Sequence, residues 1–129
     1  MPVVLDHFGK VRAGTRHEPG DLDVLKRLLG SGDAWIKLSG SYRLADHGAG
    51  LADVGRVAHA LVRANPERLL WGSDWPHTGL HGREARPGAG ILPFRKVDPA
   101  AQLDLLRQLV PDKGTRARIL RNNPQVIYS

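Results

Sequence analysis

Three times in this chain a short apolar run stops at small or polar residues and is followed by a segment whose leucines and valines recur at helical spacing. The first run, residues 2–5, is dominated by β-branched side chains and ends at Asp6-His7, as a fully buried strand would. Residues 11–20 read as a loop. Asp21 then stands where it can cap a helix in which Leu22, Leu25, Leu28 and Leu29 share a face, with Gly30 and Gly32 as stop signals. The second unit is a strand over residues 34–40 and a helix over residues 51–64, with Val54, Val57, Ala58, Leu61 and Val62 on one side and Arg56 and Arg63 on the other. Asn65-Pro66 ends that helix, because the residue before a proline is pushed out of helical geometry. The third strand covers residues 68–72 and ends at Ser73-Asp74.

The longest irregular stretch follows, residues 75–99, rich in glycine, proline, histidine and arginine; a loop of that length inside a domain is functional or disordered. Beyond it, residues 99–110 and 113–121 read as helices packed through Leu103, Leu106, Leu109, Val110, Ile119 and Leu120, and Pro124 is expected to prevent regular helix near the end. Strand alternating with helix predicts an α/β fold with a parallel sheet, since a crossover helix is what joins parallel neighbours. Three β-α units do not close a (β/α)₈ barrel, which takes about 250 residues. The expectation is one domain, a partial barrel of three parallel units plus C-terminal helices, whose isolated sheet leaves unpaired edges.

The totals exclude several functions. The 129 residues are 41% hydrophobic and 25% charged, an ordinary soluble composition. The formal charge is +6, and 14 of the 19 basic residues are arginine. These are scattered, and with two phenylalanines and two tyrosines to stack on bases, nucleic acid is not the expected partner. The absence of cysteine excludes a disulfide framework, a thiolate metal site and a cysteine nucleophile. Residues 1–5 are too short an apolar stretch for a signal peptide, nothing approaches a membrane span, and the expected compartment is the cytoplasm.

Polar clusters fall at the C-terminal ends of all three expected strands: Asp6-His7, then Ser39 with Tyr42 and Arg43, then Asp74 with His77. In parallel α/β folds those ends share one face, the face that binds ligands. Three strings there also carry a resemblance. Residues 2–9 (Pro-Val-Val-Leu-Asp-His-Phe-Gly), 35–43 (Trp-Ile-Lys-Leu-Ser-Gly-Ser-Tyr-Arg) and 70–77 (Leu-Trp-Gly-Ser-Asp-Trp-Pro-His) resemble successive segments of the metal-dependent-hydrolase barrels of the amidohydrolase 2 family, nearest its pyrone dicarboxylate lactonases. Residues 119–128 are similar to that family's closing helix and tail. The resemblance implies a C-terminal half-barrel and the opening of a lactone or ester of a small carboxylic acid.

On that resemblance Asp74 takes a proton from attacking water, or holds a metal that acidifies it; capping the turn before Pro76 is its structural alternative. His7 faces the same water or the substrate carbonyl, as metal ligand or polarising group. Arg43 offers a planar fork that matches a substrate carboxylate, and the resemblance places it there. Tyr42 helps close the pocket or packs, His77 and Trp75 line its mouth or fix the long loop, and Asp6 orients a neighbour or caps a turn. Lys10 stands where those lactonases are expected to carry another arginine and pairs with an anion as a point charge. His17, His47, His59 and His81 have no ligand-like spacing and read as structural or solvated.

The family's His-x-His pair does not occur: the histidines are at 7, 17, 47, 59, 77 and 81. A zinc-like divalent metal, if one is bound, would have His7 and Asp74, fewer than the three protein ligands of catalytic zinc. The expected cofactor is therefore none or such a metal. The expected partners are a small carboxylate-bearing substrate and either further copies of this chain or a complementary half-barrel. The alternative to a hydrolase is a catalytically inactive half-barrel that folds by oligomerising and binds small anions.

Overall fold

In the computed structural model, which describes residues 1–45, 48–79, 90 and 93–129, the strands β1 (Val3–Leu5), β2 (Ala34–Ser39) and β3 (Leu69–Gly72) form one parallel sheet in that order. Leu5 pairs with Ile36 and Ile36 with Leu69, while Leu38 pairs with Trp71 and Ser39 with Gly72. Alternate residues point to opposite faces. One face thus carries Leu5, Ile36, Leu38, Leu69 and Trp71, and the other carries Val4, Trp35, Lys37 and Leu70. The first face is covered by α1 (Glu18–Ser31) and α3 (Leu51–Ala64), through Leu22, Leu25 and Leu29 of the one and Val54, Val57, Ala58 and Leu61 of the other. Leu106 of α4 (Pro99–Leu109), Val110 and Ile119 complete this core. This is the α/β architecture expected of three β-α units followed by C-terminal helices.

Several local expectations give way to longer-range contacts. Val3 is 52% exposed rather than buried, because β1 is an edge strand. Helix α1 starts at Glu18, one turn before the expected cap, with Pro19 supplying its fixed φ in the first turn. Asp21 does not cap; it accepts the Arg12 backbone N–H (3.0 Å), Nε (2.9 Å) and Nη2 (2.6 Å), and the Arg12 hydrogen bond lowers its carboxyl to about 2. The buried Glu18 accepts the Gly14 N–H at 2.6 Å and, along one edge of the Arg56 guanidinium, Nε at 2.7 Å and Nη2 at 2.8 Å, which ties α1 to α3. Leu28 and Leu120, expected to pack, are 38% and 41% exposed.

Pro124 does not end the helix. After α5 (Lys113–Ala117) the backbone widens into a π turn, Arg118–Asn122, and continues as α6 (Asn123–Tyr128). A proline lacks an N–H and its ring collides with the carbonyl four residues back; the widened turn takes up that conflict. Asn123 then donates to the carbonyls of Pro66 (2.8 Å) and Leu69 (2.7 Å), anchoring α6 at the start of β3. Among the described residues β1 and β3 have one strand neighbour each, and no helix is long and apolar enough to cross a membrane.

Candidate active site

Directly after β1 the backbone makes a left-handed turn, with φ of 53° at His7, 55° at Phe8, 65° at Gly9 and 55° at Lys10. For side-chain-bearing residues this costs roughly 1–2 kcal/mol each. Burial of the Phe8 ring offsets part of that. Gly9 is required by space as well as by φ, since a Cβ there would stand 2.7 Å from Leu25 Cδ2. The turn directs the His7 ring across the end of β2: its backbone N–H donates to Ser39 Oγ at 3.3 Å, and its Nδ1 lies 3.3 Å from the same hydroxyl.

The end of β3 presents Asp74. The Asp74 carbonyl accepts the His77 N–H at 2.8 Å, closing a turn that contains the cis Trp75–Pro76 peptide, and both Asp74 and His77 have φ of 61°. A short helix, α2 (Ser41–Ala45), absent from the sequence reading, carries Tyr42 and Arg43 to the same point. Asp74 Oδ2 accepts from Tyr42 Oη at 2.5 Å and from Arg43 Nε at 2.8 Å, while Oδ1 faces His7 Nδ1 at 3.7 Å. Asp74 Oδ2 is therefore an acceptor for two groups carried beyond the end of β2, Oδ1 faces the group after β1, and the side chain does not cap the turn. Among the described residues every non-glycine with positive φ lies after β1 or β3: His7, Phe8, Lys10, Asp74 and His77. Backbone strain gathers where the surroundings over-determine a functional geometry.

Burial pushes the Asp74 carboxyl up, but the Tyr42 and Arg43 hydrogen bonds and the charges beside it outweigh that and hold the group below its ordinary value. Burial lowers His7 below 6.5, and the opposing pull of Asp74 does not restore it. Burial and the bond to Asp74 raise the Tyr42 phenol. At neutral pH the centre is an ionised carboxylate, a neutral imidazole and a neutral phenol, with the Arg43 guanidinium beside them.

Five of the expected site residues, His7, Tyr42, Arg43, Asp74 and His77, come together here. Lys10 does not join them by contact: it is exposed and makes no hydrogen bond or ion pair among the described residues. Arg43 is turned inward, with Nε on Asp74 and Nη2 on Thr78 Oγ1 at 3.0 Å, and Nη1 makes no hydrogen bond among the described residues. Trp75 is 80% exposed, and Asp6 pairs with Lys37 Nζ at 2.8 Å. His17 and His59 are exposed, whereas His47 and His81 lie outside the described residues.

The sequence reading missed Thr78 and Arg95. The Arg95 guanidinium lies 4.8 Å over the Tyr42 ring, the Arg95 backbone N–H donates to the His77 carbonyl at 2.6 Å, and its Nε donates to the Thr78 carbonyl at 3.0 Å. No local pattern marks Arg95, because it lies near the end of the long irregular stretch, 17 residues from Thr78.

A divalent metal would find two donors here, His7 Nδ1 and Asp74 Oδ1, 3.7 Å apart, with the Arg43 guanidinium on the other carboxylate oxygen. Catalytic zinc takes three protein ligands. Among the described residues no three His, Cys, Asp or Glu side chains are grouped to hold a metal. This donor set does not fit a complete metal site on the chain alone.

A parallel sheet flanked by helices, with strained polar residues gathered at the C-terminal ends of its strands, is the active-face arrangement of (β/α)₈-barrel enzymes. The amidohydrolase 2 family, described as Amidohydrolase, matches the chain over residues 1–129, and the chain belongs to that family. It is 35% identical over 127 residues to 4-sulfomuconolactone hydrolase of Rhizobium radiobacter, covering 98% of this chain and 39% of that protein. It is 30% identical over 125 residues to D-galactarolactone isomerase of Agrobacterium fabrum, covering 97% of this chain and 39% of that protein. The crystal structure of a Pseudomonas putida protein assigned as a 2-pyrone-4,6-dicarboxylic acid hydrolase superposes with a TM-score of 0.72 at 29% identity, over 99% of this chain and 43% of that one. The chain thus spans about two-fifths of the length of the proteins it resembles.

Proposed function

We propose that this chain supplies the water-activating side of a hydrolase that opens a lactone, or an ester, of a small carboxylic acid. The observation that carries the reading is the position of Asp74: Oδ2 is saturated by Tyr42 and Arg43, and Oδ1 is left facing His7 at the mouth of the strand ends. An ionised Oδ1 takes a proton from water as the water oxygen bonds to the acyl carbon. His7 Nδ1 lies 3.3 Å from the Ser39 hydroxyl, and in the tautomer in which that hydroxyl donates, the ring proton sits on Nε2 and polarises the carbonyl oxygen. The tetrahedral intermediate then expels the ring oxygen, which recovers the proton from Asp74, so that water adds across the acyl–oxygen bond. Arg43, through Nη1, and Lys10 hold the anionic substituent, with Tyr42 beside it.

The relatives' names support a lactone as substrate class. The outer edges of β1 and β3, unpaired among the described residues, and the share of the relatives that the chain spans, support completion of the barrel by further copies or by a complementary half. The same two observations favour the second reading, a non-catalytic half-barrel that binds small carboxylates.

The test is hydrolysis of lactones and esters, a pyrone dicarboxylate included, by the purified chain with and without a divalent metal, beside Asp74→Asn and with the oligomeric mass measured on the same sample. Release of free acid that the substitution abolishes supports the hydrolase. Conversion to an isomeric lactone, or no turnover from a folded assembly, overturns it, and carboxylate binding without turnover establishes the second reading.

A further inference from the structure

The Tyr42 hydroxyl stands between two groups, with its oxygen 2.5 Å from Asp74 Oδ2 and 3.1 Å from His77 Nδ1. It has one proton to give. An ionised carboxylate only accepts, so the phenol proton goes to Asp74 and the Tyr42 oxygen is left as an acceptor. His77 Nδ1 meets that oxygen favourably only as an N–H; two facing lone pairs at 3.1 Å would repel.

The other ring nitrogen supports the same assignment. His77 is 5% exposed, and its Nε2 is buried without a hydrogen-bond partner among the described residues. A proton on Nε2 would be buried with no acceptor and would also take the donor away from Tyr42, two losses for one tautomer. The backbone holds the triangle in place. The turn closed by the His77 N–H and the Asp74 carbonyl sets both side chains against Tyr42, whose ring meets His77 edge-on at 72°.

We propose that His77 is a positioning residue: as its Nδ1–H tautomer it donates to the Tyr42 oxygen, commits the Tyr42 proton to Asp74 Oδ2, and so leaves Oδ1 as the oxygen that serves as base. This rests on the role of Asp74 proposed above. Hydrogen bonds in such a chain polarise one another, so the donor from His77 strengthens the donation from Tyr42. His77 acts through Tyr42 and touches neither water nor substrate.

The experiment is nitrogen and proton NMR on the labelled full chain, in the assembly it forms in solution. The expected spectrum shows His77 with Nδ1 protonated and Nε2 bare, and the Tyr42 hydroxyl proton as a far-downfield resonance in slow exchange. His77→Asn keeps a side-chain N–H at the position of Nδ1 and tolerates the left-handed backbone, so it retains the resonance. His77→Leu loses it or shifts it upfield. An Nε2–H tautomer in the unmodified chain overturns the proposal, as does an unchanged Tyr42 resonance in folded His77→Leu. Should the leucine variant not fold, the tautomer of the unmodified chain decides alone. None of these readouts involves hydrolysis, so a chain with the expected spectrum and no turnover would overturn the proposed function and leave the His77 assignment standing.

Discussion

Gly40 and Asp74 are so close that a Cβ on Gly40 would stand 2.8 Å from Asp74 Oδ2, the oxygen that Tyr42 and Arg43 share. Gly40 also has φ of 56°, at the step from β2 into α2. Its lack of a side chain is what admits the carboxylate to the end of β2. Gly40→Ala meets both obstacles at once: a left-handed alanine costs roughly 1–2 kcal/mol, and Asp74 has to move. The expected result is a lower urea midpoint together with loss of the Tyr42–Asp74 contact by NMR; an unchanged midpoint would contradict this packing.

Asp74→Asn keeps the shape of the side chain and removes its basicity. In an active assembly, hydrolysis is expected to fall by about 10²–10⁴-fold, the range that a positioned general base contributes. Initial rates at saturating lactone check this, and a loss of less than tenfold would assign the base elsewhere.

Tyr42→Phe leaves the ring under Arg95 but removes a hydrogen bond to an ionised, largely buried acceptor. Bonds to charged groups of this kind contribute about 1.5–3 kcal/mol. The variant should unfold at lower urea by that order, and the Asp74 share of its acid limb should be smaller, because the carboxyl loses one of the groups that hold it low. A variant as stable as the parent would show that Arg43 alone satisfies Asp74.

Stability should fall with acid in two stages. His7 is held below 6.5 in the folded chain, chiefly by burial, so the unfolded chain binds that proton first and stability declines as the pH drops below 6.5. Asp74, Glu18 and Asp21 also have depressed carboxyls, Asp21 moving from 3.8 to about 2. Their contribution is present above the ordinary carboxylate range and is lost as the pH falls through their folded values. Urea midpoints measured against pH should show a shallow limb and then a steeper one. His7→Asn should remove the first limb and spare the second.

The elements with a strong local period were legible before any coordinates. The leucines of α1, the valines of α3 and the apolar runs of all three strands repeat at spacings that water and backbone geometry impose on any chain. The polar residues that stop those runs were legible as a site for the same reason, since a parallel sheet must bring its strand ends to one face. Where a feature depended on a distant partner, local reading failed. Asp21 resembles a helix cap until Arg12 claims it, and Pro124 resembles a terminator until a π turn makes room for it. That the Nε of Arg43 lies on Asp74 likewise has no local signature.

The sequence by itself determined the α/β class, the order and approximate bounds of the main elements, and the family, because each rests on patterns contained in a few successive residues. Only the tertiary structure decided that Tyr42, Arg43 and His7 converge on the two oxygens of one carboxylate, that Gly40 makes room for it, and that Arg95 returns to cover Tyr42. Those contacts join residues 31 to 67 positions apart, and strand register and left-handed turns, rather than local spacing, set their distances.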